Sequence, residues 1–228
     1  MIKINHNFNR QKPSEKYKKL LAEYKKLHAG KKLFDGRSTK KFISVIKQAI
    51  ENHRCKTILD YGAGQAKLYT DKFSQLTNEI NKPLQEHWGV EVRLYDPAVP
   101  EYEEWPKFME TFDGVLSVDV MEHIPQEDIG WVVSEIFGKA KQFVFLNIAT
   151  FPALKTFKDG TNVHVSIYTP EEWLELIERV HRNYPYLTVY GYFDVVTDEE
   201  QVSQEGFRID KLEEYDAWFS NTYRENCR

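Results

Sequence analysis

Apolar residues recur along this chain in two alternating rhythms. Short aliphatic and β-branched runs at 57–60, 90–95, 115–118, 143–148 and 187–193 read as strands. Between and after them, apolar residues spaced by three and four predict helices over 67–80, 126–140 and 170–181. The last of these carries a start signal: Thr169 as N-cap, Pro170 in the first turn and Glu172 at the third position. Upstream, Ser14 is placed to cap a helix in which Tyr17, Leu20, Leu21, Tyr24, Leu27 and His28 form one stripe with lysines between them, ended by Gly30. A second helix is expected over 39–52, with Phe42, Val45, Ile46, Ala49 and Ile50 on one face. The stretch 198–206 reads as a loop, and Leu212, Tyr215, Trp218 and Phe219 suggest a last helix. Strands and helices that alternate in this way predict an α/β fold, a Rossmann-like, doubly wound and mostly parallel sheet. The expected organisation is a basic amphipathic helical extension over 1–36, followed by the main domain over 37–228.

Composition narrows the picture. A chain of 228 residues, 41% of them hydrophobic, suits one such domain with an appendage. No apolar run is long enough to span a bilayer and the first residues carry no apolar leader, so no membrane partner and a cytoplasmic location are expected. The two cysteines, Cys55 and Cys227, make neither a disulfide framework nor a cysteine-rich zinc site. Charge is unevenly spread. Residues 1–41 hold 13 Lys or Arg against 3 Asp or Glu, while the remainder holds 18 against 32, so a body of net charge −14 follows an arm of +10. Basic arms often meet polyanions, which makes nucleic acid a candidate partner through residues 1–41; a solvated helix face is the plainer explanation.

Candidate chemistry begins at the end of the first strand, where Asp60 precedes Gly62, Ala63 and Gly64. In open α/β sheets ligands bind beyond the carboxyl ends of the strands, and glycines there let backbone approach ligand. A third glycine would mark a dinucleotide site, but Lys67 stands in its place. A carboxylate so close to the loop would repel a pyrophosphate and favour a cationic group. The next strand closes on Asp96-Pro97, and an acid there can accept both hydroxyls of a ribose. A third segment reads Val118-Asp119-Val120-Met121-Glu122-His123-Ile124-Pro125.

These three motifs, in this order, resemble the class I S-adenosylmethionine (SAM) dependent methyltransferases, and within them the type 11 or 12 subgroup with its D-V-L-E-H-I-P segment. The likeness covers roughly residues 33–180. It implies SAM as cofactor, S-adenosylhomocysteine as product, and cofactor contacts from Asp60, Gly62, Ala63, Gly64, Asp96, Pro97, Val118 and Asp119, with Tyr69 added from the helix opened by the glycine loop. Residues 97–112 leave little room for a third strand and its helix, so the residue that reads the adenine amino group is not assigned.

Methyl transfer from a sulfonium chiefly requires alignment, with a base where the acceptor is a hydroxyl or amine. Glu122, His123 and His164 are the expected catalytic residues, the two histidines as alternative bases because imidazole titrates near neutrality. Asp119, Glu122, His123 and His164 also resemble the E-x-x-E-H plus distant His metal site of the small-RNA terminal 2′-O-methyltransferases, whose first part the ubiquinone-pathway O-methyltransferases share. A divalent metal takes second place to metal-free transfer here: Asp119 is one carbon shorter than Glu, and the same D-V-x-E-H occurs in relatives without a metal. The acidic body favours a small molecule, sugar or glycan unit as acceptor. The alternatives are RNA or another phosphorylated acceptor held by the basic arm, and a SAM-fold protein that binds without transfer. The arm itself is expected to cover the acceptor side, with His28 and Phe34 near the cleft.

Overall fold

The computed structural model describes residues 2, 4–5, 7–29, 36–70, 82–197, 199 and 201–212. Among them the strands are β1 (Thr57–Tyr61), β2 (Glu91–Tyr95), β3 (Phe112–Val118), β4 (Ala140–Ala149), β5 (Thr188–Val196) and β6 (Val202–Ile209). They form one sheet in the order β2-β1-β3-β4-β5-β6, parallel throughout except that β6 runs antiparallel to β5. The helices are α1 (Glu15–Ala29), α2 (Ile43–Asn52), α3 (Lys67–Thr70), α4 (Leu84–Trp88), α5 (Gln126–Lys139) and α6 (Pro170–His181).

Side chains that alternate along the strands bury both faces of the sheet. Ile58 joins Ile46, Leu84 and Trp88 of α2 and α4 on one side, while Leu59 joins Ile136, Trp173 and Leu176 of α5 and α6 on the other. The result is an α/β fold with Rossmann-like layering. The chain steps outward from β1 to β2, then returns to place β3 on the opposite side of β1. Such a reversal opens a crevice beyond the carboxyl ends of β1 and β3, the usual ligand position in doubly wound sheets.

Three expectations change. The stretch 198–206 is not all loop, because β6 begins at Val202. As an outer strand it is largely exposed, so its polar sequence hid it; Phe207 anchors it by stacking on Phe193 with ring centres 4.8 Å apart. The helix expected from residue 39 begins at Ile43, preceded by a tight 3₁₀ turn, Arg37–Phe42, whose three-residue period turns both Thr39 and Phe42 inward. No strand forms between β2 and β3, as the shortened third unit implied; Lys139 Nζ instead donates to the carbonyls of Lys107 (2.6 Å) and Glu110 (2.9 Å) and holds this loop in place. The helix over 67–80 is described as far as Thr70, and Tyr215, Trp218 and Phe219 lie outside the described residues.

The N-terminal segment packs into the same core. Ile2 is 1% exposed and clusters with Tyr17, α5 and α6. The Ser14 hydroxyl accepts from the Tyr17 amide (3.0 Å), which caps α1. It also donates to Asp128 of α5, whose carboxylate accepts from Trp131 Nε1 (2.8 Å). Arg10 forks onto Glu135 with both bonds and lies 3.6 Å from the ring centre of Trp105. These contacts set the course of α1 across the carboxyl ends of the strands.

Candidate active site

A cavity of about 590 Å³ opens at that end of the sheet. Its floor is the loop after β1. Gly62 and Ala63 both donate to the Tyr95 carbonyl, and Gly64 donates to Asp96 Oδ2 at 2.9 Å. Gly62 has φ +85°, and a Cβ there would stand 2.3 Å from a methyl of Val120, so the loop requires glycine at this point. Ala98 N–H binds the other Asp96 oxygen (2.8 Å), leaving lone pairs on both oxygens for a ligand. Gly62, Ala63, Gly64, Asp96, Pro97, Val118 and Asp119 all line the cavity. Burial raises the Asp96 pKa, against the Ala98 and Gly64 amides and the nearby His28.

Asp60 and Tyr69 stand elsewhere. They bind each other behind the glycine loop (Tyr69 Oη to Asp60 Oδ2, 2.7 Å) and do not line the cavity. Burial pushes Asp60 up to about 6. Their visible role is to brace the turn from β1 into α3.

Asp119, His123 and His164 line the cavity too, and Glu122, the fourth residue of the acid and histidine set, is buried beside them outside its lining. The candidate ligand atoms of Asp119, Glu122, His123 and His164 all lie within 4.8 Å of one another. Asp119, at φ +61°, holds a left-handed conformation that costs a non-glycine residue energy, and its Oδ2 accepts from Ser38 Oγ at 2.8 Å. Glu122 is fully buried; Oε1 accepts from the Ala149 amide (2.9 Å), and its carboxyl is within hydrogen-bonding reach of Asp119, with which it can share a proton. The Glu122 carbonyl accepts the amides of Val165 and Ser166, which ties the His164 loop to the β3 loop. Asn162 shapes that loop further, bonding Ala153 in both directions and the His164 amide. The imidazoles of His123 and His164 meet edge to face, 4.9 Å between centres.

Charge in this corner is finely set. Burial, and then the Asp119 charge, pushes the Glu122 carboxyl well above its ordinary range. Burial acts in the same sense on Asp119, but His123 and the Ser38 hydroxyl outweigh it and hold that carboxyl below its usual value. Burial depresses His123 to about 4 and keeps Tyr24 a neutral phenol. His123 is therefore neutral at physiological pH, with a lone pair to offer a proton or a cation.

A pH dependence of stability follows. Below pH 6.5 the unfolded chain takes up a proton at His123 that the folded chain refuses until about pH 4, so stability falls as pH drops through that window. In metal-free protein, His123→Gln is expected to reduce the stability difference between pH 7.5 and 4.5 by about 2.5 kcal/mol, at 1.36 kcal/mol per unit. Urea unfolding at both pH values checks this, and an unchanged difference would exclude a buried neutral His123.

The sequence did not single out Tyr24, Lys41 or Asp194 as site residues, yet all three line the cavity. Tyr24 was hidden in the apolar stripe of α1. Asp194 sits at the end of β5, a position whose meaning depends on sheet order; it accepts from Lys41 Nζ (3.0 Å) and Gln204 Nε2 (2.8 Å). His28 reaches the cavity, whereas Phe34 lies outside the described residues. No described helix is long and apolar enough to cross a membrane. Comparison with protein-family models, curated proteins and solved structures finds no match to this chain.

Proposed function

We propose that this protein is a SAM-dependent methyltransferase that moves a methyl group to an oxygen or nitrogen of a small molecule, sugar or glycan unit. One observation carries the reading: a glycine loop and a strand-end carboxylate, Asp96, face the same cavity as a buried cluster of acid and imidazole groups. In this reading the ribose hydroxyls bind Asp96, the glycine loop lets the cofactor lie close against the backbone of 62–64, and Val118 and Pro97 flank the adenine. The chain's part in the reaction is to hold the acceptor in line with the methyl group, exclude water, and take the acceptor proton at an imidazole Nε2. When bound, SAM would supply the methyl group and its positive charge, and the acceptor proton would pass to that imidazole and on to solvent.

Calorimetry tests the cofactor. SAM and S-adenosylhomocysteine are expected to bind the full chain, and Asp96→Asn to weaken both by roughly 1.5–3 kcal/mol, the worth of hydrogen bonds to a charged group. Absence of binding to folded protein would overturn the reading.

Glu122 favours an extended version with a divalent cation. Its buried carboxyl stands beside a second carboxyl, Asp119, and two imidazoles, and a cation would replace the proton that the two acids otherwise share. The same four residues would hold it, and when bound it would lower the pKa of an acceptor hydroxyl. Chelation is then expected to abolish transfer and leave S-adenosylhomocysteine affinity intact; full activity after chelation would discard the cation.

The basic arm gives less support to an RNA acceptor. Lys18, Lys19, Lys25 and Lys26 on α1 pair with Glu15, Asp159, Glu103 and Glu23, so much of its charge is already answered by local acids. Its apolar stripe faces the cavity.

A further inference from the structure

The two histidines of the candidate site stand among apolar residues. The Val163 carbonyl lies 3.0 Å from His123 Nδ1, and Ile124 follows His123 in the chain. The Phe151 carbonyl lies 2.7 Å from His164 Nδ1. Ala153 is held by both ends of the Asn162 side-chain amide, whose oxygen also accepts the His164 amide. Helix α1 adds Leu20, which clusters with Val163 and Phe157 while Ala153 packs against them, and beside it Leu21. Leu20, Leu21, Ile124, Ala153, Leu154 and Val163 all line the cavity.

The side chains of these six residues carry no hydrogen-bonding atom. A sugar pressed against them would lose the water on its hydroxyls and gain no partner in return, whereas an alkyl or aryl surface gains by leaving water. Leu154 is fully exposed, so the wall includes apolar surface that an occupant would cover. Polar side chains elsewhere in the lining are engaged or face solvent: Ser38 binds Asp119, Lys41 binds Asp194, and Lys155 is exposed. The apolar wall belongs to the same cavity as the glycine loop and Asp96, so a molecule seated on it shares that space with a ligand held there. Its polar group then finds partners at the acid and imidazole corner.

We propose that the acceptor is a hydrophobic alcohol or phenol: its hydroxyl meets the acid and imidazole corner, and its alkyl or aryl body lies against Leu20, Leu21, Ile124 and Leu154. Apolar lining supplies the affinity and a few polar groups set the orientation, as in ligand pockets generally. Among the acceptors considered above, a sugar or glycan unit becomes the disfavoured one. The role of this ligand as acceptor rests on the methyltransferase reading; the preference of the cavity for an apolar body does not.

Equilibrium binding separates the two. Calorimetry on the full chain, with and without saturating S-adenosylhomocysteine, compares 4-ethylphenol, 4-butylphenol and 4-hexylphenol with methyl glucoside. The alkylphenols are expected to bind, each added methylene tightening the complex about threefold to fourfold, and the glycoside to bind at least about 30-fold more weakly than 4-butylphenol. Leu154→Glu, a change at an exposed position, is expected to weaken 4-butylphenol about fivefold and leave S-adenosylhomocysteine affinity unchanged, and Leu21→Asn to do the same. No binding of any alkylphenol overturns the proposal. So do affinities that ignore chain length, a glycoside that binds as tightly as 4-butylphenol, or both variants binding like wild type. Supplied with SAM, the protein is expected to convert 4-butylphenol to its methyl ether; transfer to the glycoside and not to the phenol overturns the proposal as well. Transfer to neither would overturn the methyltransferase reading, while the binding series still decides what the cavity prefers.

Discussion

His123→Ala is expected to lower methyl transfer by about 10²- to 10⁴-fold, the usual contribution of a positioned proton acceptor, while S-adenosylhomocysteine binds within about threefold of wild type. The split follows from geometry. Glycine loop and Asp96 line the cavity from the loops after β1 and β2, and His123 lines it from the loop after β3, against Val163 and His164. Transfer of labelled methyl from SAM to a panel of hydroxyl- and amine-bearing acceptors measures the first quantity, and calorimetry the second. Wild-type turnover in His123→Ala would remove this residue from the reaction. A parallel loss of cofactor affinity would show that His123 shapes the cofactor end as well.

Gly62→Ala is expected to damage the fold and the cofactor site together. At φ +85° a side chain costs about 1–2 kcal/mol, and crowding against Val120, a stiff β-branched neighbour, adds about 1–3 kcal/mol. Stability should fall by a few kcal/mol, with at least a tenfold loss of S-adenosylhomocysteine affinity. Val120→Ala in the same chain should recover the crowding part and not the backbone part, which gives the experiment an internal control. Urea unfolding of the four proteins measures this. A Gly62→Ala protein as stable as wild type would mean that the loop adopts another path.

Particular residues show how far the sequence could be read. Alternation of strands and helices was legible because β1, β3 and β4 are buried on both faces and leave continuous apolar runs. The cap at Thr169 was legible too, being local: its hydroxyl accepts the Glu172 amide and the Glu172 carboxylate accepts the Thr169 amide. β6 was not, since an exposed outer strand carries polar residues on both sides and looks like a loop. The same divide runs through the site. Asp96, Glu122, His123 and His164 were marked by residue type at a strand end or in the loops that follow strands, and the fold brings all of them to one end of the sheet. Asp60 bore the same mark, yet it turns behind the glycine loop toward Tyr69. Tyr24 carried no mark, because its hydroxyl meets an imidazole 99 residues away, a distance only the tertiary fold closes.

The clamp between Arg10 and Glu135 also bears on how the molecule comes together. Its partners are 125 residues apart. Until α5 has docked on the sheet, Arg10 has no carboxylate to fork onto and Ser14 no Asp128. Contacts this distant in sequence form late, after the entropy of closing a long loop has been met. The N-terminal helix therefore gains these anchors only once α5 lies on the sheet, and a destabilised sheet would release it from the cavity.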